Sequence, residues 1–460
     1  MLSMKIYHTV KIFTALGIVL ILGSCKKLID VGPSKTELLT TTVFKDSATV
    51  QSTIAGLYES FAPQTGSYRN SISTMLALSA DELLYNGNDY DAITNNAVLS
   101  TDGTTAAVWE DSYKTIYVAN SLLEGVPTGE GISQNFRNQA LAEARFIRAF
   151  CYFYLVNVYG DVPLVLGTDV AKNMNMARTP ASDVYVQIIE DLKFAQSNLP
   201  SDYSISDDSR TRANRWVATA MLARVYLYNK NWAEAEAQAG SIINNTSLFS
   251  LDADLDAVFS PQSAEAIWQL YNDNSGYTWY ATEVLPNPVT QIPTYFLSSS
   301  LLGAFEPGDK RKQFWTAMTN YSGTNYTYPY KYKSLKSGAD TEYYTILRLP
   351  EQYLIRAEAR AQLNNAAGAR EDLLVVRKRA GLINLPVTDK DGILLAVEQE
   401  RRIELNSEWG HRWLDLKRTG RINAVLTASK PSWKPSAALF PVPNAQRTLN
   451  RSLTQNPGYN

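Results

Sequence analysis

Between Asn214 and Asn244, small and apolar residues recur at Leu222, Ala223, Tyr226, Ala235, Ala239 and Ile242, with a polar break at Asn229-Lys230-Asn231. Steps of three and four place one stripe on each of two helices. Alanine at the contact positions lets the two axes approach closely. A helix pair of this kind cannot bury its apolar face alone, so it must stack on further pairs. The same solution recurs from Pro350, suited to a first helical turn, through Leu354, Ala357 and Ala361, a turn at Asn364-Asn365, and Ala369, Leu373 and Val376. This is the spacing of the tetratricopeptide helix-turn-helix. Two less regular pairs are expected from Asp46 to Phe61 with Thr105 to Glu124, and from Asn135 to Tyr159 with Ser182 to Asn198, where Ser182 and Asp183 are read as caps. Helices are thus expected over 46–62, 105–125, 135–159, 182–199, 214–245, 350–381 and 389–420. The predicted fold class is mainly α, a solenoid of about four tetratricopeptide-like pairs with minor β. Trp109, spaced with Tyr113, Ile116 and Tyr117, reads as packing between repeats, as do Trp216 and Trp232.

The amino end predicts processing and an anchor. Behind Lys5 and Lys11 runs an apolar stretch from Ile12 to Gly23, shorter than the roughly 20 residues that span a membrane. It reads as a signal peptide over 1–24. Leu22-Gly23-Ser24-Cys25 resembles a lipobox, which predicts lipidation at Cys25 and a single mature domain over 25–460. Cys151 is then the one remaining thiol, in an apolar helical context that predicts a buried, inert side chain. His8 leaves with the leader, so His411 is the one mature histidine, and it lies in a charged helical stretch unsuited to a Ser-His-Asp triad. No metal site, cofactor or catalytic residue is expected. A formal charge of -2 without a basic stretch excludes a nucleic-acid role.

Two segments escape the repeat pattern, 70–103 and 251–349, and long irregular insertions in a helical frame are the usual seat of binding. The first is polar and contains Asp81-Glu82-Leu83-Leu84-Tyr85-Asn86-Gly87-Asn88-Asp89-Tyr90. In the second, eleven of the 27 Tyr fall between Tyr271 and Tyr344. Tyr326, Tyr328, Tyr330 and Tyr332 alternate as one face of a short strand, which Pro329 marks as an edge. Sugar rings need flat apolar faces edged by amides and carboxylates that replace water on hydroxyls. On that ground Tyr277, Trp279 and Tyr280, with Trp315 as a more distant platform, and Asn86, Asn88, Asp89 and Tyr90 are the candidate ligand-binding residues.

Five stretches, in order, resemble the SusD/RagB-like outer-membrane nutrient-binding lipoproteins of the Bacteroidetes. They are Leu28-Ile29-Asp30-Val31 after Cys25, EARFIRAFCYFYLVNVYGDVPLV, KYKSLKSGADTEYYTILRLPEQYLIRAEA, ERRIELNSEWGHRWLDLKRTGR and LFPVPNAQRTLNRSLTQNPGY. Lys26-Lys27, where many surface-exported members carry acidic residues, and Ala445-Gln446-Arg447, in place of an acidic turn, depart from the pattern. The resemblance implies a lipid-anchored outer-membrane protein facing the cell exterior. It would bind oligosaccharide and deliver it to a SusC-like TonB-dependent transporter, with no reaction. Peptide capture on the same fold and a protein-only scaffold are alternatives. A glycoside hydrolase would need two separated carboxylates, and Glu400, Glu404, Glu408 and Asp415 lie among Arg401, Arg402 and Arg412, where ionised scaffold pairs are expected instead. Asp81-Glu82 is not read as a dyad, because neighbours on a helix do not face each other. The runs Leu439 to Pro443 and Gln455 to Tyr459 read as rigid tail segments docked on the helices.

Overall fold

Most long helices in this chain begin behind an Asp, Ser or Asn whose side chain accepts a backbone N–H of the first turn. The computed structural model describes residues 44–61, 71–272, 276–288, 291–335 and 342–459. The leader over 1–24, Cys25, Lys26-Lys27 and Leu28 to Val31 lie outside the described residues. Asp46 caps α1 (Ser47–Glu59), Asp102 caps α2 (Gly103–Gly125) and Ser133 caps α3 (Gln134–Tyr159). α4 (Ala181–Asn198) departs from expectation. It starts behind Pro180, with Ser182 and Asp183 already inside its first turn, and Asp161 Oδ1 takes the Ala181 N–H at 2.9 Å. Asn214 and Asn231 cap α5 (Arg215–Tyr228) and α6 (Trp232–Ile243).

Further on come α7 (Trp279–Val284), α8 (Lys310–Trp315), α9 (Leu349–Gln362), α10 (Ala366–Arg379), α11 (Lys390–Glu404), α12 (His411–Arg418) and α13 (Ile422–Ser429). α1 packs on α2 and α3, α4 bridges α3 and α5, α6 lies between α5 and α9, and α9 carries α10 and α11. The result is a superhelix of stacked pairs. Ala220, Ala223, Ala235, Ala239, Ala357 and Ala361 are all fully buried, so the small residues sit where the axes come closest. Gly410 joins α11 to α12 at φ 71, and a Cβ there would run into Leu76, so only glycine meets both demands.

Trp109 is buried and touches Tyr113 and Tyr159. Tyr117, expected on the same packing face, is exposed. Trp216 and Trp232 are half-buried at the core margin. Cys151 is buried in α3, as expected. The carboxyl tail docks on the end of α3 as expected: Phe440 N–H donates to Val158 O at 2.9 Å, and Asn456 Nδ2 donates to Tyr159 O at 2.9 Å and Phe440 O at 2.7 Å.

Three two-stranded antiparallel sheets occur among the described residues. β2 (Ala266–Leu270) pairs with β6 (Tyr344–Arg348), roots the second insertion beside α5, and sends Trp268 against Phe146 and Phe150 of α3. β4 (Thr316–Tyr321) and β5 (Thr324–Pro329) form a hairpin over Ser322-Gly323, both at positive φ as a two-residue turn requires. Of the alternating tyrosines, Tyr326 and Tyr328 lie in β5, whereas Tyr330 and Tyr332 lie beyond its end at Pro329. β1 (Leu83–Tyr85) pairs with β3 (Tyr295–Leu297). The first insertion is less irregular than expected: residues 71–79 are helical, and Ile72 to Leu83 are buried beneath it. Its exposed part begins at Leu84.

Candidate functional site

The β1–β3 ladder joins the two insertions, matching Leu83 to Leu297, Leu84 to Phe296 and Tyr85 to Tyr295. Alternation then puts Tyr85 and Tyr295 on one face. Asn86 N–H extends the pairing to Thr294 O at 2.9 Å, after which Gly87 turns the chain and exposes Asn86, Asn88 and Asp89. Tyr90 returns over the ladder. Its ring lies edge-on to Tyr85 at 4.8 Å and tilted by 33° against Tyr295 at 6.2 Å, while Tyr85 and Tyr295 stand 5.4 Å apart. Tyr295 is buried beneath the two half-buried rings. Tyr85 Oη donates to Asp89 Oδ2 at 3.1 Å, which ties the loop to the platform. Burial raises the Tyr295 hydroxyl pKa, helped by Tyr90 and by the Glu283 carboxylate at the end of α7, so that helix borders the same cluster.

Four of the eight candidates thus gather here: Asn86, Asn88, Asp89 and Tyr90. Tyr277 and Trp279 are half-buried at the start of α7, where Thr278 caps Ala281 N and Asn272 Nδ2 holds Tyr277 O. Tyr280 turns inward. It is 3% exposed and stacks on Tyr344 at 5.6 Å, which stacks on Trp409 at 5.2 Å. Trp315 is 0% exposed, its Nε1 donates to Leu255 O at 3.0 Å, and Lys331 Nζ lies 4.8 Å from its ring. Neither ring has a face for a ligand, because each fills the core where the insertion meets the helices. Tyr85 and Tyr295 were not among the sequence candidates. The Leu83/Tyr85 alternation was a signal for the first, and nothing local indicated its pairing with the second.

The charged motif is a buried ion-pair web, with most partners from other elements. Arg348 bonds Glu404 and, through Nε at 2.9 Å and Nη2 at 2.8 Å, Glu408. Arg311 Nη1 reaches Glu400 at 2.6 Å and Glu404 at 2.8 Å, Arg379 joins Glu404 to Glu265, and Lys331 holds Glu408. Burial works to raise Glu404, but Arg379, Arg348 and Arg311 outweigh it and hold the carboxyl well below its ordinary range. For Glu400 burial wins over Arg311 and Arg377, and its pKa rises above the ordinary value while both ion pairs are kept. Asp81 and Glu82 lie in a turn rather than on a helix. Asp81 pairs with Arg402 at 2.7 Å and Arg412 at 2.8 Å, whereas burial and the Asp81 charge raise Glu82 from 4.5 to about 7. His411 is buried, and burial together with Arg224 and Arg401 lowers its pKa well below the usual value. Among the described residues, no group of three or more His, Cys, Asp or Glu is placed to hold a metal ion, and no helix is long and apolar enough to cross a membrane. What the exposed cluster can do chemically is stack on C–H faces through Tyr85 and Tyr90 and hydrogen-bond hydroxyls through Asn86, Asn88 and Asp89.

A family model described as starch-binding, associating with outer membrane, matches residues 28–227, and one described as the SusD family matches residues 269–459. The chain is similar to SusD-like protein P2 of Formosa agariphila, at 27% identity over 90% of this chain and 93% of the relative. It is 26% identical to SusD-like protein P25 of the same organism over 76% of this chain and 78% of that one. In three dimensions it resembles a SusD superfamily protein from Bacteroides vulgatus, with TM-score 0.78 and 21% identity over 90% of this chain and 100% of that chain. A laminarin-binding SusD-like protein gives TM-score 0.76 and 24% identity over 90% and 100%. These structural likenesses show a shared fold.

Proposed function

The chain belongs to the SusD/RagB family of outer-membrane-associated, carbohydrate-binding proteins, and from that premise we propose that it captures an oligosaccharide and hands it on intact. The receiver in this reading is a SusC-like TonB-dependent barrel, and the tether is lipid on Cys25, which would give the two proteins a high effective concentration. One observation carries the ligand assignment: Tyr85 and Tyr90 form an angled aromatic platform over Tyr295, with Asn86, Asn88 and Asp89 exposed along its edge. The helices supply the rigid frame. The carboxylates of the 400–421 motif are committed to guanidinium partners, which supports binding without hydrolysis.

Calorimetric titration with laminarin and starch oligosaccharides, run beside a peptide library, tests the proposal. Saccharide binding is expected, weakened roughly 10- to 100-fold in a folded Tyr85→Ala/Tyr90→Ala variant, with the ligand recovered uncleaved. Binding of peptides alone, or release of shortened saccharide, overturns it.

A further inference from the structure

The exposed turn at 86–90 is the tip of an excursion that leaves the buried helical segment after Ser79 and returns to the frame at Thr94. Both stems converge on one side chain. Lys430 Nζ donates to Leu78 O, to Ser79 O at 2.9 Å and to Thr94 O at 2.8 Å. An ammonium has three N–H donors and no acceptor, so these three carbonyls use its whole capacity. The amine is itself held from behind. Lys430 N–H closes α13 on Leu426 O at 2.8 Å, and Lys430 O accepts from Trp433 N–H at 3.0 Å. Trp433 packs edge-on against Trp413 at 5.8 Å. Two neighbouring bonds reinforce the closure: Asn96 Nδ2 to Ser79 O at 3.0 Å and Ser432 Oγ to Asn95 O at 2.7 Å.

We infer that Lys430 is a positioning residue for ligand capture, stapling the two stems of the 80–93 excursion to the end of α13 so that Tyr85, Asn86, Asn88, Asp89 and Tyr90 are presented preordered. The inference rests on the reading of this turn as the ligand surface. β1 supplies just three residues of ladder, and so short a pairing does not by itself hold a polar turn in one conformation. Ordering the turn before the ligand arrives removes part of the entropy cost of binding. Loss of the amine takes this donor from Leu78 O and Thr94 O, leaves Ser79 O with Asn96 Nδ2 alone, and frees the stems to separate.

Hydrogen exchange of the full chain and titration with laminarin and starch oligosaccharides, applied to Lys430→Met and Lys430→Arg, test this. In Lys430→Met, amides of 80–94 should exchange about tenfold faster with α3 and α5 unchanged, and saccharide affinity should fall about tenfold. Lys430→Arg, which keeps several donors, should recover most of both. Unchanged exchange over 80–94 in Lys430→Met overturns the staple. Faster exchange with unchanged affinity, or no recovery in Lys430→Arg, overturns the positioning role. Wild-type protein that binds no saccharide overturns the ligand reading and the positioning role with it, and the exchange data still report the staple separately. If Lys430→Met does not fold, Ser432→Ala decides: a shift of about threefold in the same two readouts is expected, and no shift in either overturns the inference.

Discussion

The web around Glu404 and the turn at 86–90 both draw on polar and aromatic residues, yet their surroundings assign them opposite tasks. In the web, Glu404 meets Arg311, Arg348 and Arg379, and Trp315 is fully buried against Arg348, Arg379 and Lys331. Each charge lies in low dielectric and is tolerable there only because its partners are in place. At the turn, Asn86 and Asn88 are exposed, and their side chains have no partner among the described residues. Groups that have found partners hold a fold, and groups left facing water are available to a ligand. Residue type alone does not separate the cases: Tyr280 and Tyr90 look alike in sequence, and one is core while the other is half-buried beside the exposed turn.

The largest effect that could break this contrast is expected from Glu404→Ala. Three guanidiniums would lose a shared carboxylate in the interior, and denaturant unfolding should register a loss of about 3–5 kcal/mol. A loss below about 1 kcal/mol would mean that the web is solvated and that the contrast is false.

Glu82 sharpens the boundary between the regions, since it is buried one residue before β1. Its carboxyl holds a proton up to about pH 7 in the folded chain but releases it near 4.5 when unfolded. The stabilising contribution of that proton is therefore complete below about 4.5, declines as the pH rises, and is gone above about 7. Glu82→Gln should flatten the pH 4.5–7 stability slope relative to wild type by about 3 kcal/mol, measured by chemical unfolding at several pH values. An identical slope in both proteins would place Glu82 in water.

The smallest effect belongs to the exposed rim. Asn86→Ala should cost saccharide affinity a few-fold, about 1 kcal/mol, with thermal unfolding unmoved. A stability loss without an affinity loss would make Asn86 a structural residue like those of the web.

Legibility followed the range of the interactions. The helix pairs around Ala223, Ala239, Ala357 and Leu373 could be read because periodicity and Asn or Asp caps act within a few residues of each other. The web was expected from acids spaced by one turn among arginines, although Arg311, Arg348 and Arg379 enter from other elements. The α4 start was misplaced because its cap acceptor, Asp161, belongs to the preceding loop. Trp315 and Tyr280 were read as ligand platforms because an aromatic in a polar insertion has no local mark of burial. The helix at 71–79 was missed because the tertiary core covers it on all sides, leaving no amphipathic stripe to read.

By itself the sequence determined a stacked-helix frame, since small residues at steps of three and four admit close helix packing and little else. The tertiary structure alone decided which tyrosines look outward. That choice depends on Tyr85 lying opposite Tyr295, a pairing between residues far apart in the chain that no local pattern encodes.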